Sequence, residues 1–70
     1  MLNWQRLVRE AVTVRKQERL SQRDLAALAG VTQPTVVKFE RGSTSIRVDS
    51  ALAILRALSL ADRQDIPPSR

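Results

Sequence analysis

The sequence predicts an all-α domain organised around two short helices joined by a tight turn. Apolar residues recur at helical rather than strand spacing along residues 4–14 and again along 48–58. Residues that cap helix N-termini precede the helical segments, and they are Asn3, Ser21 and Thr32. Gly30 and Gly42 stand where helical segments end. The stretch 21–42 is therefore predicted to form helix, glycine turn and helix.

The first helix of this stretch is marked at both ends. Ser21 followed by Asp24 is the pattern of a capping box, in which each side chain can bond to the backbone N–H of the other residue. A helix is therefore expected to begin at Gln22. Gly30 can take the left-handed conformation that ends a helix without steric strain.

The second helix is predicted to begin after Thr32, because Thr is a good N-cap and Pro34 is tolerated in a first turn. A step of ~100° per residue places Val36, Phe39 and Glu40 on its inner face. The outward face of the helix then comprises Gln33, Pro34, Val37, Lys38 and Arg41.

The chemistry of this outward face suits the major groove of DNA. Gln can pair with adenine, Val can contact a thymine methyl group, and Lys can reach guanine O6 or N7. A single surface cation such as Lys38 or Arg41 is usually only a solvated charge. Their joint position on one face of such a motif favours a role in DNA recognition.

Composition limits the classes of function. Seventy residues make one small domain, and a net charge of +5 with a pI near 11.4 points to a polyanion, with nucleic acid as the first candidate. The sequence contains no Cys and no His, so we expect no metal site, no cofactor and no enzyme of the Ser-His or Cys-His type. No apolar run approaches ~20 residues and no signal-peptide core is evident, so we expect a cytoplasmic protein without a membrane span.

The segment LSQRDLAALAGVTQPTVVKFERG resembles the helix-turn-helix of the Cro and phage-repressor family, also called Xre-type regulators. The resemblance covers roughly residues 14–60. It implies a compact, lambda-repressor-like bundle of four or five helices in residues 1–60, with the motif at 21–42 and a short turn and tail at 61–70. It also implies a sequence-specific regulator, usually a repressor, that binds a palindromic operator as a homodimer through recognition helix 33–41.

The resemblance assigns roles to individual residues. Those matching the positions that face base edges are Gln33, Pro34, Val37 and Lys38. Those expected at the DNA backbone are Gln22, Thr35, Arg41, Thr44, Ser45 and Arg47, the last with the minor groove as an alternative. Ser21 and Thr32 are assigned as helix caps, and Arg15 with Glu40 as a structural ion pair.

The segment before the motif is predicted to be a helix from Asn3 to about Gln17. Trp4, the only tryptophan, is expected to lie over the outside of the core rather than to stack on bases. The helix is basic and amphipathic, so binding to a membrane surface is the rival interpretation for residues 1–19 alone. Arg19 stands where relatives usually have Gly. Either it adopts the left-handed conformation at a cost of ~1 kcal/mol, or the helix ends differently.

The segment after the motif is predicted to contain a helix over residues 48–58 whose apolar surface is wide enough for both core and interface. Related proteins often pair through this region. The residues predicted at a dimer contact are Leu52, Leu55, Leu60 and Ile66. Beyond them, Pro67 and Pro68 are expected to prevent further helix.

Three alternatives remain open at this stage. A small Xre-type protein can also be the antitoxin of a toxin and antitoxin pair, which binds its operator and a toxin. A protein-interaction bundle without DNA binding and a membrane-surface helix on a small anchor belong to other classes. An interaction bundle would have no reason to keep acid off the predicted recognition face.

Overall fold

A computed structural model describes residues 3–59 of the chain. It contains the helices α1 (Trp4–Gln17), α2 (Gln22–Ala29), α3 (Gln33–Glu40) and α4 (Val48–Ala57), and no strand occurs within these residues. α2 packs against both α3 and α4, while α1 packs against α3. The predicted all-α helical bundle is confirmed. The predicted division at residue 60 and the calls on Leu60, Ile66 and the tail lie outside the described residues.

The core is formed where all four helices meet. Its largest fully buried side chains are Phe39, Leu25, Ile54 and Val36, which come from α2, α3 and α4. α1 contributes small and branched residues to the same cluster. A chain this short buries a smaller fraction of its surface than a larger domain does, so its apolar stabilisation depends on this cluster.

Trp4 closes one side of this core. Its ring meets the Phe39 ring edge to face, with centroids 5.5 Å apart and planes at 90°. Its indole Nε1 donates a hydrogen bond to the backbone carbonyl of Gly42 at 3.1 Å. Trp4 therefore holds the beginning of α1 against the end of α3.

Three helices begin at residues whose side chains satisfy a free backbone N–H. Asn3 accepts from the N–H of Arg6 at 3.0 Å. Ser21 Oγ accepts from the N–H of Asp24 at 2.9 Å, and Asp24 Oδ2 accepts from the N–H of Ser21 at 3.0 Å. Thr32 Oγ1 accepts from the N–H of Thr35 at 3.4 Å. These bonds set where the helices of the motif begin.

The capping box gives a testable pH dependence. The backbone N–H of Ser21, then its hydroxyl and the charge of Arg23, hold the pKa of the Asp24 carboxyl below its ordinary value of 3.8. A carboxyl whose pKa is lowered by folding adds stability above its unfolded pKa and loses it as the pH falls through the folded one. We expect Asp24→Ala to melt at a lower temperature than the wild type at pH 7, and at nearly the same temperature well below pH 3.8. Thermal melts across that range test this, and a gap that stays constant into acid would contradict it.

α1 ends in a left-handed residue. Arg19 has φ 60°, and the following N–H of Leu20 donates to the carbonyl of Arg15 at 3.1 Å. Of the two alternatives left open by the sequence, the structure shows the first. The chain accepts a strain of ~1 kcal/mol at Arg19 in order to turn into α2.

Gly30 and Gly42 form a matched pair for testing backbone strain, with φ of 73° and 83°. An added Cβ at Gly30 meets nothing within 4 Å, whereas at Gly42 it would lie 2.8 Å from Gln5 Oε1. We expect Gly30→Ala to lower the free energy of unfolding by ~1 kcal/mol from conformational strain alone. Gly42→Ala should lose a few tenths of a kcal/mol more, roughly, because the flexible Gln5 tip must move. Urea unfolding of both variants, and of Gly42→Ala combined with Gln5→Ala, measures the two contributions. An equal loss at Gly42 with and without Gln5 would contradict the predicted clash.

The exposure of three apolar residues bears on the sequence-based predictions. The apolar pattern of α2, residues 25, 26, 28 and 29, predicts that Leu28 faces inward, but Leu28 is 63% exposed because Leu25 and Ala26 define the buried side. Leu55, predicted at a dimer contact, is only 6% exposed and belongs to the core cluster, so little of its surface is left for such a contact. Leu52 from the same predicted set is 40% exposed.

Neither a membrane-spanning helix nor a metal-binding cluster occurs in the described residues. No helix between residues 3 and 59 is both long and apolar enough to cross a membrane. Within the same range, no three or more His, Cys, Asp or Glu side chains form a group that could hold a metal ion.

Candidate nucleic-acid interface

One side of α3 is anchored in the core and the opposite side is open to solvent. Val36 and Phe39 are fully buried, which fixes the rotation of the helix about its axis. The other side bounds a shallow groove of about 440 Å³. The residues lining this groove are Gln33, Pro34, Val37, Lys38 and Arg41.

The lining of this α3 groove has a simple chemistry. It combines one amide, two apolar side chains and two cations, and it contains no carboxylate. Val37 is partly buried and the other four are exposed. The structure therefore brings the four residues predicted at base edges together on one surface, with Arg41 beside them.

Glu40 is the acidic residue of α3, and an internal ion pair neutralises its charge. Arg15 Nε donates to Glu40 Oε2 at 2.6 Å and Arg15 Nη2 donates to Glu40 Oε1 at 3.2 Å. Arg15 Nη1 also donates to the carbonyl of Leu20 at 2.7 Å. The two charged side chains are only 12% and 10% exposed. A two-point pair of this kind fixes the end of α3 relative to the end of α1.

Gln22 joins this pair from the first position of α2. Its Nε2 donates to Glu40 Oε1 at 2.9 Å, so one carboxylate receives groups from α1 and α2. The resemblance assigned Gln22 to a DNA phosphate, whereas the interaction present in the structure is internal. An amide nitrogen carries two hydrogens, so one remains to donate, and the phosphate contact stays a prediction.

The loop between α3 and α4 is ordered by its own hydroxyls. Ser43 Oγ lies 2.8 Å from Ser45 Oγ and accepts from the N–H of Ser45 at 3.1 Å. Thr44 and Ser45 are exposed. Arg47 is exposed as well, and its Nε lies 3.3 Å from Asp49 Oδ1. The Asp49 carboxylate therefore forms an ion pair with Arg47, the residue predicted to contact the DNA backbone or minor groove.

Thr35 lies in the first turn of α3, and its Oγ1 is 2.8 Å from Thr32 Oγ1. This hydroxyl pair occupies the N-terminal end of the helix, where the free N–H groups and the helix dipole favour an anion. The predicted backbone residues are therefore spread over the start of α2, the start of α3 and the loop that follows α3. They do not form a single cluster.

Sequence reasoning missed two contacts that position α3. The bond from Gln22 to Glu40 joins residues 18 positions apart, and the bond from Trp4 to Gly42 joins residues 38 apart. Neither has a local sequence signal. For Trp4, the sequence showed only that no second aromatic residue lies on the apolar face of its helix. That observation predicted a position against the core, but it did not identify a hydrogen-bond partner for the indole.

The arrangement of α2 and α3 defines a structural class. α2 and α3 are joined by a turn of three residues, 30–32, and the second helix presents an exposed cationic face that the first helix supports. That arrangement is a helix-turn-helix.

Comparison with known proteins gives the family. A family model described as helix-turn-helix matches residues 13–62, which is more than half of the chain. The chain belongs to the helix-turn-helix family of Cro and phage-repressor type, and the resemblance inferred from the sequence is confirmed.

A curated relative is similar over most of this chain. It is an uncharacterized HTH-type transcriptional regulator of Haemophilus influenzae, 36% identical over 52 residues. The match covers 74% of this chain and 53% of the relative, so this chain spans about half of that protein.

Proposed function

We propose that this chain is the sequence-specific DNA-binding domain of a transcriptional regulator, with α3 as its recognition helix. The observation that carries the proposal is the α3 groove, where an amide, two apolar groups and two cations share one exposed surface. A major groove about 12 Å wide admits one α-helix and offers acceptors, donors and thymine methyl groups to it.

The proposed contacts divide into two kinds. Gln33 and Lys38 offer hydrogen bonds to base edges, and Pro34 with Val37 offers apolar contact to a thymine methyl group. Thr35, Arg41 and the exposed loop side chains Thr44, Ser45 and Arg47 are proposed to bind phosphates, as is the remaining amide hydrogen of Gln22. Phosphate contacts position the protein, while base contacts specify the sequence.

The proposed regulator acts as a homodimer on a palindromic operator, and the simplest effect of such occupancy is repression of a promoter. Two-fold symmetric binding places recognition helices one helical turn apart, about 34 Å. The chain measures 35 × 29 × 22 Å along its principal axes, so two copies side by side on one face of a duplex would match this spacing.

Selection of bound fragments from random DNA tests the proposal. We expect one enriched sequence with two-fold symmetry and half-sites about one helical turn apart. The affinity for that sequence should fall steeply with salt, with log K decreasing by ~0.9 for each phosphate neutralised per unit of log salt. Absence of any enriched sequence, or affinity independent of salt, would contradict the proposal.

An antitoxin of the same family would bind its operator through the same surface. The selection experiment therefore does not distinguish an antitoxin from a free-standing repressor. Co-expression with the product of the neighbouring gene does, because an antitoxin would form a stable complex with that protein.

A further inference from the structure

Arg47, which the proposed function places at a DNA phosphate, is paired with a carboxylate of its own chain. Its Nε lies 3.3 Å from Asp49 Oδ1, and its Nη2 donates to Asp49 Oδ2 at 3.5 Å. Asp49 therefore occupies the Nε and Nη2 edge of the guanidinium, an edge that can hold a phosphate by two hydrogen bonds. The other two cations of the proposed interface, Lys38 and Arg41, line the α3 groove, which contains no carboxylate.

The pair of Arg47 and Asp49 differs from the pair of Arg15 and Glu40 in exposure and in length. The Arg15 and Glu40 side chains are 12% and 10% exposed, and their shortest contact is 2.6 Å. The Arg47 and Asp49 side chains are 82% and 72% exposed. A solvated ion pair contributes little to stability, so breaking it requires little free energy. The first pair is therefore a fixed part of the fold, whereas the second can exchange its carboxylate for another anion.

The beginning of α4 holds the carboxylate in place but does not depend on the cation. Asp49 lies in the first turn of the helix, where the helix dipole favours a negative charge. Arg47 is the N-cap residue, and its side chain makes no capping hydrogen bond. The Arg47 side chain can therefore leave Asp49 without removing a hydrogen bond that begins the helix.

We propose that Asp49 competes with DNA phosphate for Arg47 and so limits the affinity of the chain for its operator. This inference rests on the proposed function. In the free chain Arg47 pairs with Asp49, and on the operator a phosphate takes the place of the carboxylate. The contact between Arg47 and phosphate then adds less to the affinity, because the pair must first be broken. Asp49 thus weakens binding through Arg47, without touching DNA.

The competition is effective because the carboxylate belongs to the same chain. Asp49 is two residues from Arg47 and is present in every molecule, whereas a phosphate has to be placed there by the other contacts of the interface. Base contacts select one register on the operator, so one phosphate stays beside Arg47 and displaces the carboxylate. On scrambled DNA no register is selected, and Arg47 remains with Asp49 for more of the time. In the wild type, Arg47→Ala should therefore weaken operator binding more than binding to scrambled DNA.

Asp49→Asn is the main test, because it removes the charge and keeps the size of the side chain. We expect the affinity for the selected operator to rise about 2- to 5-fold, since no ion pair has to be broken on binding. The salt slope should stay nearly the same, because Arg47 neutralises the same phosphate in both proteins. Titrations on the operator at several salt concentrations measure both quantities, and thermal melts confirm that the variant is folded.

A double variant and a matched control separate this competition from a general effect of charge. When Asp49→Asn is combined with Arg47→Ala, the gain relative to Arg47→Ala alone should vanish. Glu10→Gln removes the same charge at an exposed position of α1. Its affinity should rise much less, through the long-range field alone, and by the same factor with or without Arg47.

Two results would overturn the proposal and leave the proposed function intact. One is an operator affinity of Asp49→Asn no higher than that of Glu10→Gln. The other is a gain that persists at full size in the Arg47→Ala background, because the carboxylate would then act on DNA by repulsion and not through Arg47. A wild type that binds no DNA sequence, by contrast, would overturn the proposed function and this inference together.

Discussion

Replacement of Glu40 by alanine is expected to lower the free energy of unfolding by about 3 kcal/mol. The substitution leaves the Arg15 guanidinium nearly buried without its partner and removes the acceptor of Gln22. The charge at this site, which is 12% exposed, has lost most of its water and keeps only the hydrogen bond from Nη1 to the carbonyl of Leu20 in return. A domain of this size is stable by only ~5 kcal/mol, so its melting temperature should fall by roughly 10 to 20 °C.

The control for this prediction is Glu10→Ala, which changes the net charge equally at an exposed position of α1. A second variant replaces both partners, Arg15→Met with Glu40→Leu, and should recover most of the lost stability because no charge is left buried. Among folded molecules, none of these variants should relax DNA sequence preference. A loss below ~1 kcal/mol for Glu40→Ala would mean that the pair is solvated and does not fix α3.

Local signals in the sequence were sufficient for the elements of the motif. A capping box at Ser21 and a glycine at 30 act through contacts within four residues, so their effects could be predicted without the rest of the chain. The helical step then predicted which side of α3 is buried, since Val36 and Phe39 leave little freedom in its rotation. Exposure of the face that bears Lys38 follows from the same step.

Contacts between helices were less predictable, because they depend on crossing angles that no local pattern determines. The apolar pattern could not show that Leu28 lies outside the core or that Leu55 lies within it. The Gln22 amide could serve a phosphate or Glu40 equally well by residue type, and only the packed helices show the internal bond. The apolar groove lined by Trp4 of α1 and Leu52 of α4 likewise requires that two helices distant in sequence meet.

The resemblance to a family supplied what the residues alone did not. Arg15 and Glu40 are 25 positions apart, and their pairing was expected only because related proteins pair these positions. Arg19 shows the complementary case. It stands where the family pattern has Gly. The left-handed backbone conformation is retained with φ 60°, so Arg19 itself carries the strain.

Lys38→Ala is expected to give the largest single loss of operator affinity, about 1 to 3 kcal/mol, which is roughly 5- to 150-fold. Lys38 is exposed in the α3 groove, on the face where no carboxylate competes for its charge. If its ammonium group reads guanine, the loss should be confined to the selected operator and should relax preference at one or two base pairs. Affinity for scrambled DNA should fall little, and the salt dependence should stay nearly the same.

The chain contains two lysines, which provides a matched control. Lys16→Ala changes the net charge identically, but Lys16 lies in the last turn of α1 and does not line the α3 groove. Its loss should weaken operator and scrambled DNA alike, and only slightly, through the long-range field. Titration of both variants on both DNAs at several salt concentrations therefore separates three possible outcomes for Lys38. A selective loss indicates base recognition, and an equal loss with a salt slope reduced by ~0.9 indicates a phosphate contact. A loss no greater than that of Lys16→Ala would mean that the open face of α3 is not the surface that meets DNA.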